Sequence, residues 1–99
     1  MVNTRAKGAR TVKRGREALE AEGWLTDTVE KTGRFRKDKD LFSLFDVIAI
    51  KPMRTKLIQF KTNRMPTYKP FKDFAATYQQ FEVEIWCWRD RKGWRIKEI

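Results

Sequence analysis

The sequence contains no histidine and a single cysteine, Cys87, in its 99 residues. Without histidine the chain cannot build a Ser-His or Cys-His triad, a histidine-based nuclease centre or a His-ligated zinc site. One cysteine forms no disulfide within the chain, which fits a reducing, intracellular compartment such as the cytoplasm. Any catalysis must therefore use carboxylates, lysine, arginine, tyrosine, or a metal ion held by oxygen ligands.

Long apolar segments and acidic residues are also scarce. No stretch approaches the roughly 20 apolar residues of a membrane span, and MVNTRAKGARTVKRGR has no apolar core, so we expect no membrane anchor or secretory signal. Only 13 Asp and Glu stand against 23 Lys and Arg, which gives a net charge of +10. Such a balance indicates a polyanionic partner, either nucleic acid or acidic membrane.

The chain length suits one domain over residues 1–99, with residues 1–10 as a flexible basic arm. Apolar periodicity predicts a first helix over 4–22 that ends at Gly23. The stripe that indicates this helix consists of residues at helical spacings, namely Ala6, Ala9, Val12, Arg16 and Leu19. Further elements are predicted as strands at 24–31, 41–50 and 56–62, a helix at 71–81, and a closing hairpin that turns at 91–93. The order α-β-β-β-α-β-β predicts an α/β or α+β sandwich around a central mixed sheet.

Basic residues are concentrated in two segments that contain no acid. The first precedes Glu17, and the second lies between Asp46 and Asp73. We expect the two segments to form one face that binds the phosphates of a nucleic acid. The candidates are Arg10, Lys13, Arg14, Lys51, Arg54, Lys56 and Arg64. The alternative is an ordinary solvated surface, which is the usual role of each residue taken alone.

Polar side chains interrupt two apolar strands. Asp46 lies within LFSLFDVIAI, and Gln59 and Lys61 lie two apart in KLIQFKT. Because side chains alternate along a strand, the three converge if the strands are neighbours. A carboxylate beside a second oxygen ligand can hold Mg²⁺ or Mn²⁺, which lower the pKa of a bound water and neutralise phosphate charge. A lysine two residues on would reach the attacking water or the pentavalent phosphate.

These residues also have purely structural interpretations. Asp46 could cap a turn or pair with an arginine, Gln59 could be a hydrogen-bonded core amide, and Lys61 could extend from a strand end. Cys87 is interpreted as a buried apolar residue rather than a nucleophile. For the tryptophans of the closing hairpin, a helix-covered core, a dimer interface and base stacking stay open. They are Trp86, Trp88 and Trp94.

The pattern of Asp46 followed by Gln59-Phe60-Lys61 resembles the PD-(D/E)XK nuclease superfamily, in which an Asp on one strand precedes acid-x-Lys on the next. Lys7-Gly8 and Gly23-Trp24 are similar to the start of archaeal Holliday-junction resolvases. DLFSLFDVIAI, LIQFKT and VEIWCWRDRKGW resemble small uncharacterised phage and bacterial members with a Q-x-K variant of the motif. The resemblance implies a restriction-endonuclease-like fold and a Mg²⁺- or Mn²⁺-dependent DNA endonuclease, bacterial, archaeal or phage-encoded, acting on branched or phage DNA as a homodimer.

The resemblance also implies roles for individual residues. Asp46 would be the principal metal ligand, Gln59 a neutral second ligand, and Lys61 the residue that positions water and stabilises phosphate charge. Two departures stand out, because Gln59 replaces the usual acid and Val12 takes the place of the helix glutamate. Asp40 and Glu17 are the acids that would assist in holding metal. The alternatives are a catalytically degenerate DNA- or RNA-binding module on the same fold, or a small phage factor that binds a host protein through its tryptophan-rich face.

Overall fold

The computed structural model describes residues 4–28 and 41–99. Its helices are α1 (Thr4–Ala21) and α2 (Lys69–Thr77). Its strands are β1 (Leu25–Thr28), β2 (Val47–Lys51), β3 (Arg54–Thr62), β4 (Glu82–Arg89) and β5 (Gly93–Glu98). The predicted succession of helices and strands is confirmed.

The strands form one mixed sheet in the order β1-β2-β3-β4-β5. β3 and β4 are parallel and joined through α2, whereas the other neighbouring strands are antiparallel. α1 covers one face, where its Leu19 belongs to a buried cluster with Ile58. α2 covers the opposite face, where its Phe71 packs in a second cluster with Ile85. The chain therefore has the predicted α+β sandwich architecture.

A glycine cap ends α1 where the sequence predicted it. Gly23 has a φ of +94°. Its N–H donates to the carbonyl of Glu20 at 3.0 Å, and the N–H of Trp24 donates to the carbonyl of Leu19 at 3.1 Å. This Schellman pairing satisfies the last carbonyls of the helix and needs a residue that tolerates positive φ.

The buried stripe of α1 differs from the predicted one. Thr11, Gly15 and Leu19 are buried, whereas Ala9 is exposed. Gly15 is required by a close approach, because a Cβ at this position would overlap the ring of Phe60. Periodicity rules count apolar side chains, so a glycine that makes room for a ring across the interface escapes them.

Residues 41–45 form a tight turn, although the sequence predicted a strand over 41–50. Phe42 and Ser43 have left-handed φ values of 53° and 61°. The N–H of Leu41 donates to the carbonyl of Phe45 at 2.7 Å, and the reverse bond measures 2.9 Å. Positive φ is incompatible with a strand, so β2 begins only at Val47.

The N-terminal basic segment is helical where the structure describes it. α1 starts at Thr4, inside the region expected as a flexible arm over 1–10. The ammonium of Lys7 donates to Oδ2 of Asp90 at 2.7 Å, which ties this part of α1 to the end of β4. Neither α1 nor α2 is long and apolar enough to cross a membrane.

Candidate active site

The start of β2 and the ends of β3 and β4 meet at one end of the sheet. Asp46 immediately precedes β2, and its N–H donates to the carbonyl of Ile58 on the antiparallel β3 at 2.9 Å. β4 runs parallel to β3, so its last residues lie beside Thr62 at the same end. We call this the Asp46 end. The opposite end, which carries the β2–β3 turn and Trp24, is the Trp24 end.

Asp46 and Gln59 are in direct contact. The main-chain N–H of Phe60 donates to Oδ2 of Asp46 at 2.9 Å. The Gln59 amide nitrogen faces two acceptors, Oδ2 of Asp46 at 3.1 Å and the carbonyl oxygen of Leu44 at 2.6 Å. Both partners are acceptors, so hydrogen bonding assigns the nitrogen to this side of the amide. These bonds fix the orientation of the Asp46 carboxylate.

Lys61 is on the same face of β3 as Gln59, because side chains alternate along a strand. Lys61 is partly buried and is paired in register with Cys87 of β4. This is the α2 face of the sheet, where Leu57 of the same strand packs in the α2 cluster. The structure thus brings Asp46, Gln59 and Lys61 to one face at one end of the sheet.

The α1 face of the Asp46 end is a hydrogen-bonded junction. The hydroxyl oxygens of Thr11 and Thr62 lie 2.7 Å apart. The Asn63 side chain donates to Oδ2 of Asp90 at 3.0 Å and accepts the Asp90 N–H at 2.9 Å. Bonds from Lys7 and Asn63 to the carboxylate hold the pKa of Asp90 below its usual value. These contacts fasten α1 to the ends of β3 and β4.

Within the described residues, the structure does not show the two acids expected to assist Asp46 in contact with it. Val12, at the position of the resolvase-helix glutamate, packs against the α1 cluster. Glu17 is exposed on α1, and Asp40 lies outside the described residues. Over residues 4–28 and 41–99, no three Asp, Glu or Cys side chains form a group that could hold a metal ion. Within the described residues, the groups that meet here are the Asp46 carboxylate, the Gln59 amide and the Leu44 main-chain carbonyl, each of a type that can give Mg²⁺ or Mn²⁺ an oxygen ligand.

Four of the predicted phosphate-binding residues lie near the Asp46 end. Arg10 and Lys13 are exposed on the half of α1 that contacts β3 and β4. The guanidinium carbon of Arg14 lies 4.0 Å above the ring centre of Trp88. Arg64 is exposed directly after β3. Stacking of this kind limits the freedom of an arginine while leaving its N–H donors available.

The other three predicted residues surround Trp24 at the opposite end. Their cationic groups lie at 4.7, 4.7 and 4.5 Å from its ring centre, for Lys51, Arg54 and Lys56. Arg54 donates to both carboxylate oxygens of Glu82, at 2.8 and 2.6 Å, and this bond lowers the pKa of Glu82. Lys56 is buried and pairs with Glu84 at 2.9 Å. Lys51, Arg54 and Lys56 thus lie at the end of the sheet away from Asp46, and β4 supplies the acids that pair with Arg54 and Lys56. Arg64 of the same basic segment lies at the Asp46 end.

The tryptophans of the closing hairpin line the α1 side of the sheet. Trp86 is buried, and its Nε1–H donates to Oε1 of Glu84 at 2.8 Å. Its ring centre is 5.7 Å from that of Phe60 and 5.2 Å from that of Trp94. These contacts support the interpretation as helix-covered core. Cys87 is buried on the opposite face, where burial raises the pKa of its thiol, as expected for an unreactive residue.

The sequence did not predict that Asn63, Asp90 and the carbonyl of Leu44 take part in the contacts at this end of the sheet. Asn63 has a φ of 64°, a conformation that asparagine tolerates better than most residues. An Asn directly after a strand and an Asp that opens a turn before Gly93 were the available signals. Both signals predict turns and do not predict that the two side chains bond each other.

Comparison with known proteins gives a match at the level of structure. No protein-family model and no curated protein matches the chain. Among solved structures, the chain is similar to Hjc from Archaeoglobus fulgidus, a Holliday junction resolvase of an archaeal hyperthermophile. The TM-score is 0.64 at 19% sequence identity, and the match covers 93% of this chain and 72% of that chain. The chain therefore shares its fold with this resolvase, in agreement with the restriction-endonuclease-like architecture predicted from the sequence.

Proposed function

We propose that this chain is a divalent-metal-dependent endonuclease that cuts branched DNA. The observation that carries the proposal is the contact between Asp46 and Gln59, 3.1 Å from Oδ2 to the amide nitrogen, with Lys61 following on the same strand face. Two further facts support it. The fold resembles that of a Holliday junction resolvase, and the net charge of +10 suits a polyanionic substrate.

In this proposal Asp46 is the principal ligand of one Mg²⁺ or Mn²⁺, and Gln59 is a neutral second ligand. Held by these residues, the cation would supply a lower pKa for a bound water and would neutralise phosphate charge. The Lys61 ammonium orients the attacking water and stabilises the negative charge that develops on the phosphate. A single described carboxylate suits one cation that keeps several waters. Asp40 and Glu17 are assigned outer, assisting roles.

The DNA backbone is proposed to cross the Asp46 end. Arg10, Lys13, Arg14 and Arg64 would bind the phosphates there. Lys51 would contact a longer duplex at the Trp24 end. Arg54 and Lys56 are already bound to Glu82 and Glu84, so we assign them to the fold and expect them to contribute little to DNA affinity.

A four-way junction presents two strands for cleavage, and a chain of this size supplies one site for each. We therefore propose that the protein acts as a homodimer. We also propose that it acts inside the cell and is encoded by a cellular or a phage genome. Sedimentation velocity with and without a junction tests the dimer. A monomer that stays one-to-one on the junction would contradict it.

A cleavage assay tests the catalytic proposal. The protein would be incubated with supercoiled plasmid, single-stranded DNA and a four-way junction, each in Mg²⁺, Mn²⁺ or EDTA. Asp46→Asn and Lys61→Met keep side-chain size but remove the charge, and each should lower the rate at least about 100-fold. Cleavage should stop in EDTA and prefer the junction.

Matched controls are Asp27→Asn and Lys92→Met, which change exposed residues of β1 and the β4–β5 turn. Both should cut like the parent protein. Glu17→Gln tests the assisting acid and should have a smaller effect than Asp46→Asn. Cleavage that survives in both Asp46→Asn and Lys61→Met would assign the activity to another part of the chain or to a contaminant.

A second candidate is a nucleic-acid-binding protein without cleavage. The uncharged Gln59 and the apolar Val12 favour it, because both stand where the resembled nucleases carry acids. Such a protein would bind junctions with an affinity that falls steeply with salt and does not depend on Mg²⁺. Binding of this kind, with no product from any substrate, would select it over the nuclease.

A further inference from the structure

The Gln59 amide joins two oxygens that belong to different parts of the chain. One is Oδ2 of Asp46, at 3.1 Å, and the other is the main-chain oxygen of Leu44, at 2.6 Å. The Leu44 carbonyl lies in the turn over 41–45, directly after the left-handed residues Phe42 and Ser43. Left-handed backbone costs about 1–2 kcal/mol at a non-glycine residue and often accompanies functional geometry. The turn thus directs a carbonyl oxygen toward the same amide that contacts the Asp46 carboxylate.

A carboxamide has nearly the same shape when its oxygen and nitrogen are exchanged. Rotation by half a turn about the last side-chain torsion of Gln59 would put Oε1 where the nitrogen is now. That oxygen would then lie about 2.6 Å from the oxygen of Leu44 and 3.1 Å from Oδ2 of Asp46. Three oxygens this close repel one another unless a cation lies between them.

These separations match the coordination shell of a small divalent cation. Mg²⁺ binds oxygens at about 2.0–2.1 Å in an octahedron, so adjacent ligand oxygens are about 2.9 Å apart. The two separations from the rotated amide, 2.6 and 3.1 Å, lie on either side of this value. The rotated amide oxygen therefore has the spacing of a ligand adjacent to the Leu44 carbonyl and to the Asp46 carboxylate in an octahedral shell.

We propose that the Leu44 carbonyl is a third metal ligand and that Gln59 is a reversible latch on the site. As a hydrogen-bond donor, the amide closes the site by bonding both oxygens. When Mg²⁺ or Mn²⁺ enters, the amide rotates and its oxygen becomes a ligand. The inference rests on the proposed function and goes beyond it, because it names a backbone ligand and a conformational step that precedes metal binding.

The latch explains what a glutamine does at this position. A glutamate at residue 59 would repel the carboxylate of Asp46 without a cation and attract a cation strongly. The amide instead stabilises the closed site and gives a weaker, neutral ligand in the open site. Metal affinity is therefore lower than that of a two-carboxylate site, and metal binding must break two hydrogen bonds.

NMR on the wild-type protein tests the rotation without measuring activity. In ¹³C,¹⁵N-labelled protein, the Gln59 side-chain amide should exchange slowly with water and show a scalar coupling across its hydrogen bond to the Leu44 carbonyl carbon. Addition of Mg²⁺ should remove that coupling and speed exchange of the amide hydrogens. The amide resonances of Gln80, which is exposed, serve as the internal reference.

Direct Mn²⁺ binding, measured by water proton relaxation, tests the ligand role. Gln59→Glu should bind Mn²⁺ at least about tenfold more tightly than wild type, and Gln59→Met should bind it about tenfold more weakly. Gln80→Glu adds the same charge at an exposed site and should bind like wild type.

Two results would overturn the latch. If Mg²⁺ saturates the protein while the Gln59–Leu44 coupling persists, the amide does not rotate, although a metal-dependent nuclease survives. If neither wild type nor Gln59→Glu binds Mn²⁺, both the latch and the metal dependence of the proposed function fail. Cleavage by the wild-type protein, measured separately, distinguishes these two cases.

Discussion

The β-sheet holds the carboxylates of Glu82 and Glu84, at its Trp24 end, differently from that of Asp46 at the opposite end. At the Trp24 end Glu82 bonds the guanidinium of Arg54, and Glu84 pairs with the ammonium of Lys56. At the Asp46 end the carboxylate accepts hydrogen bonds from the main-chain N–H of Phe60 and the amide of Gln59, both of them neutral donors. A neutral donor can give way to a metal ion at lower cost than a buried cation can. The ion pairs of Glu82 and Glu84 stabilise the fold at the Trp24 end, and the proposal above assigns the binding role to Asp46.

The largest expected effect is at the buried pair of the Trp24 end. Glu84→Leu leaves Lys56 buried without its partner and removes the acceptor of the Trp86 indole N–H, so we expect a loss of about 3–5 kcal/mol in the free energy of unfolding. Glu82→Gln weakens only a half-exposed pair and should cost less than about 1 kcal/mol. Urea unfolding followed by tryptophan fluorescence measures both.

The double variant Lys56→Met with Glu84→Leu sharpens this result. It removes both charges from the buried pair, so it should be more stable than Glu84→Leu alone. Cleavage per folded molecule should stay at the parent level in each variant. A large loss of cleavage without loss of stability would contradict the division of roles between the two ends.

α1 spans both ends and is in close contact with the sheet at Gly15. Gly15→Ala places a methyl group against the ring of Phe60 and should cost about 1–3 kcal/mol. Gly8→Ala is the matched control, because a Cβ there meets no atom within 4 Å. It should raise stability by up to about 1 kcal/mol through helix propensity. If Gly15→Ala stabilises the protein as Gly8→Ala does, the Phe60 contact is not tight.

Each end of the sheet has a residue with the same left-handed backbone conformation, and replacing each by glycine should change stability in opposite directions. Met53 in the β2–β3 turn and Asn63 after β3 both have a φ of 64°, but the Met53 side chain is fully exposed. Met53→Gly should gain about 0.5 kcal/mol by relieving left-handed strain. Asn63→Gly removes two hydrogen bonds to Asp90 and should lose about 1 kcal/mol. Chemical denaturation measures the pair, and equal signs would contradict the assignment of a side-chain role to Asn63.

The smallest expected effect is the pH dependence of the stability that Asp90 contributes. Lys7 and Asn63 hold the pKa of Asp90 below its usual value of about 3.9. A carboxyl whose folded pKa is depressed contributes stability above its unfolded pKa, and the contribution is lost as pH falls through the folded pKa. An NMR titration that follows the side-chain carboxyl carbon of Asp90 should show this depressed pKa. Lys7→Met should move the pKa back toward 3.9. A titration of Asp90 that is the same in both proteins would exclude the Lys7 contact.

Much of the fold was predictable because its signals are local. Gly23 ended α1 as expected, and alternating side chains placed Asp46, Gln59 and Lys61 on one face. Other features depend on partners distant in sequence. The acids that bind Arg54 and Lys56 come from β4, and the ring that requires Gly15 comes from β3. The turn at 41–45 was missed because its residues are mostly apolar and its left-handed positions are not glycine or asparagine.

The single cysteine provides a probe of local opening in the sheet. Cys87 lies on β4, with Lys61 of β3 on one side and Arg95 of β5 on the other, and its thiol is buried. A bulky maleimide can react only when the protein opens locally and exposes this thiol. Because the sequence contains no second thiol, the labelling rate measures how often the region around Cys87 and Lys61 opens. Mass spectrometry of the unaltered protein would follow that opening with and without DNA.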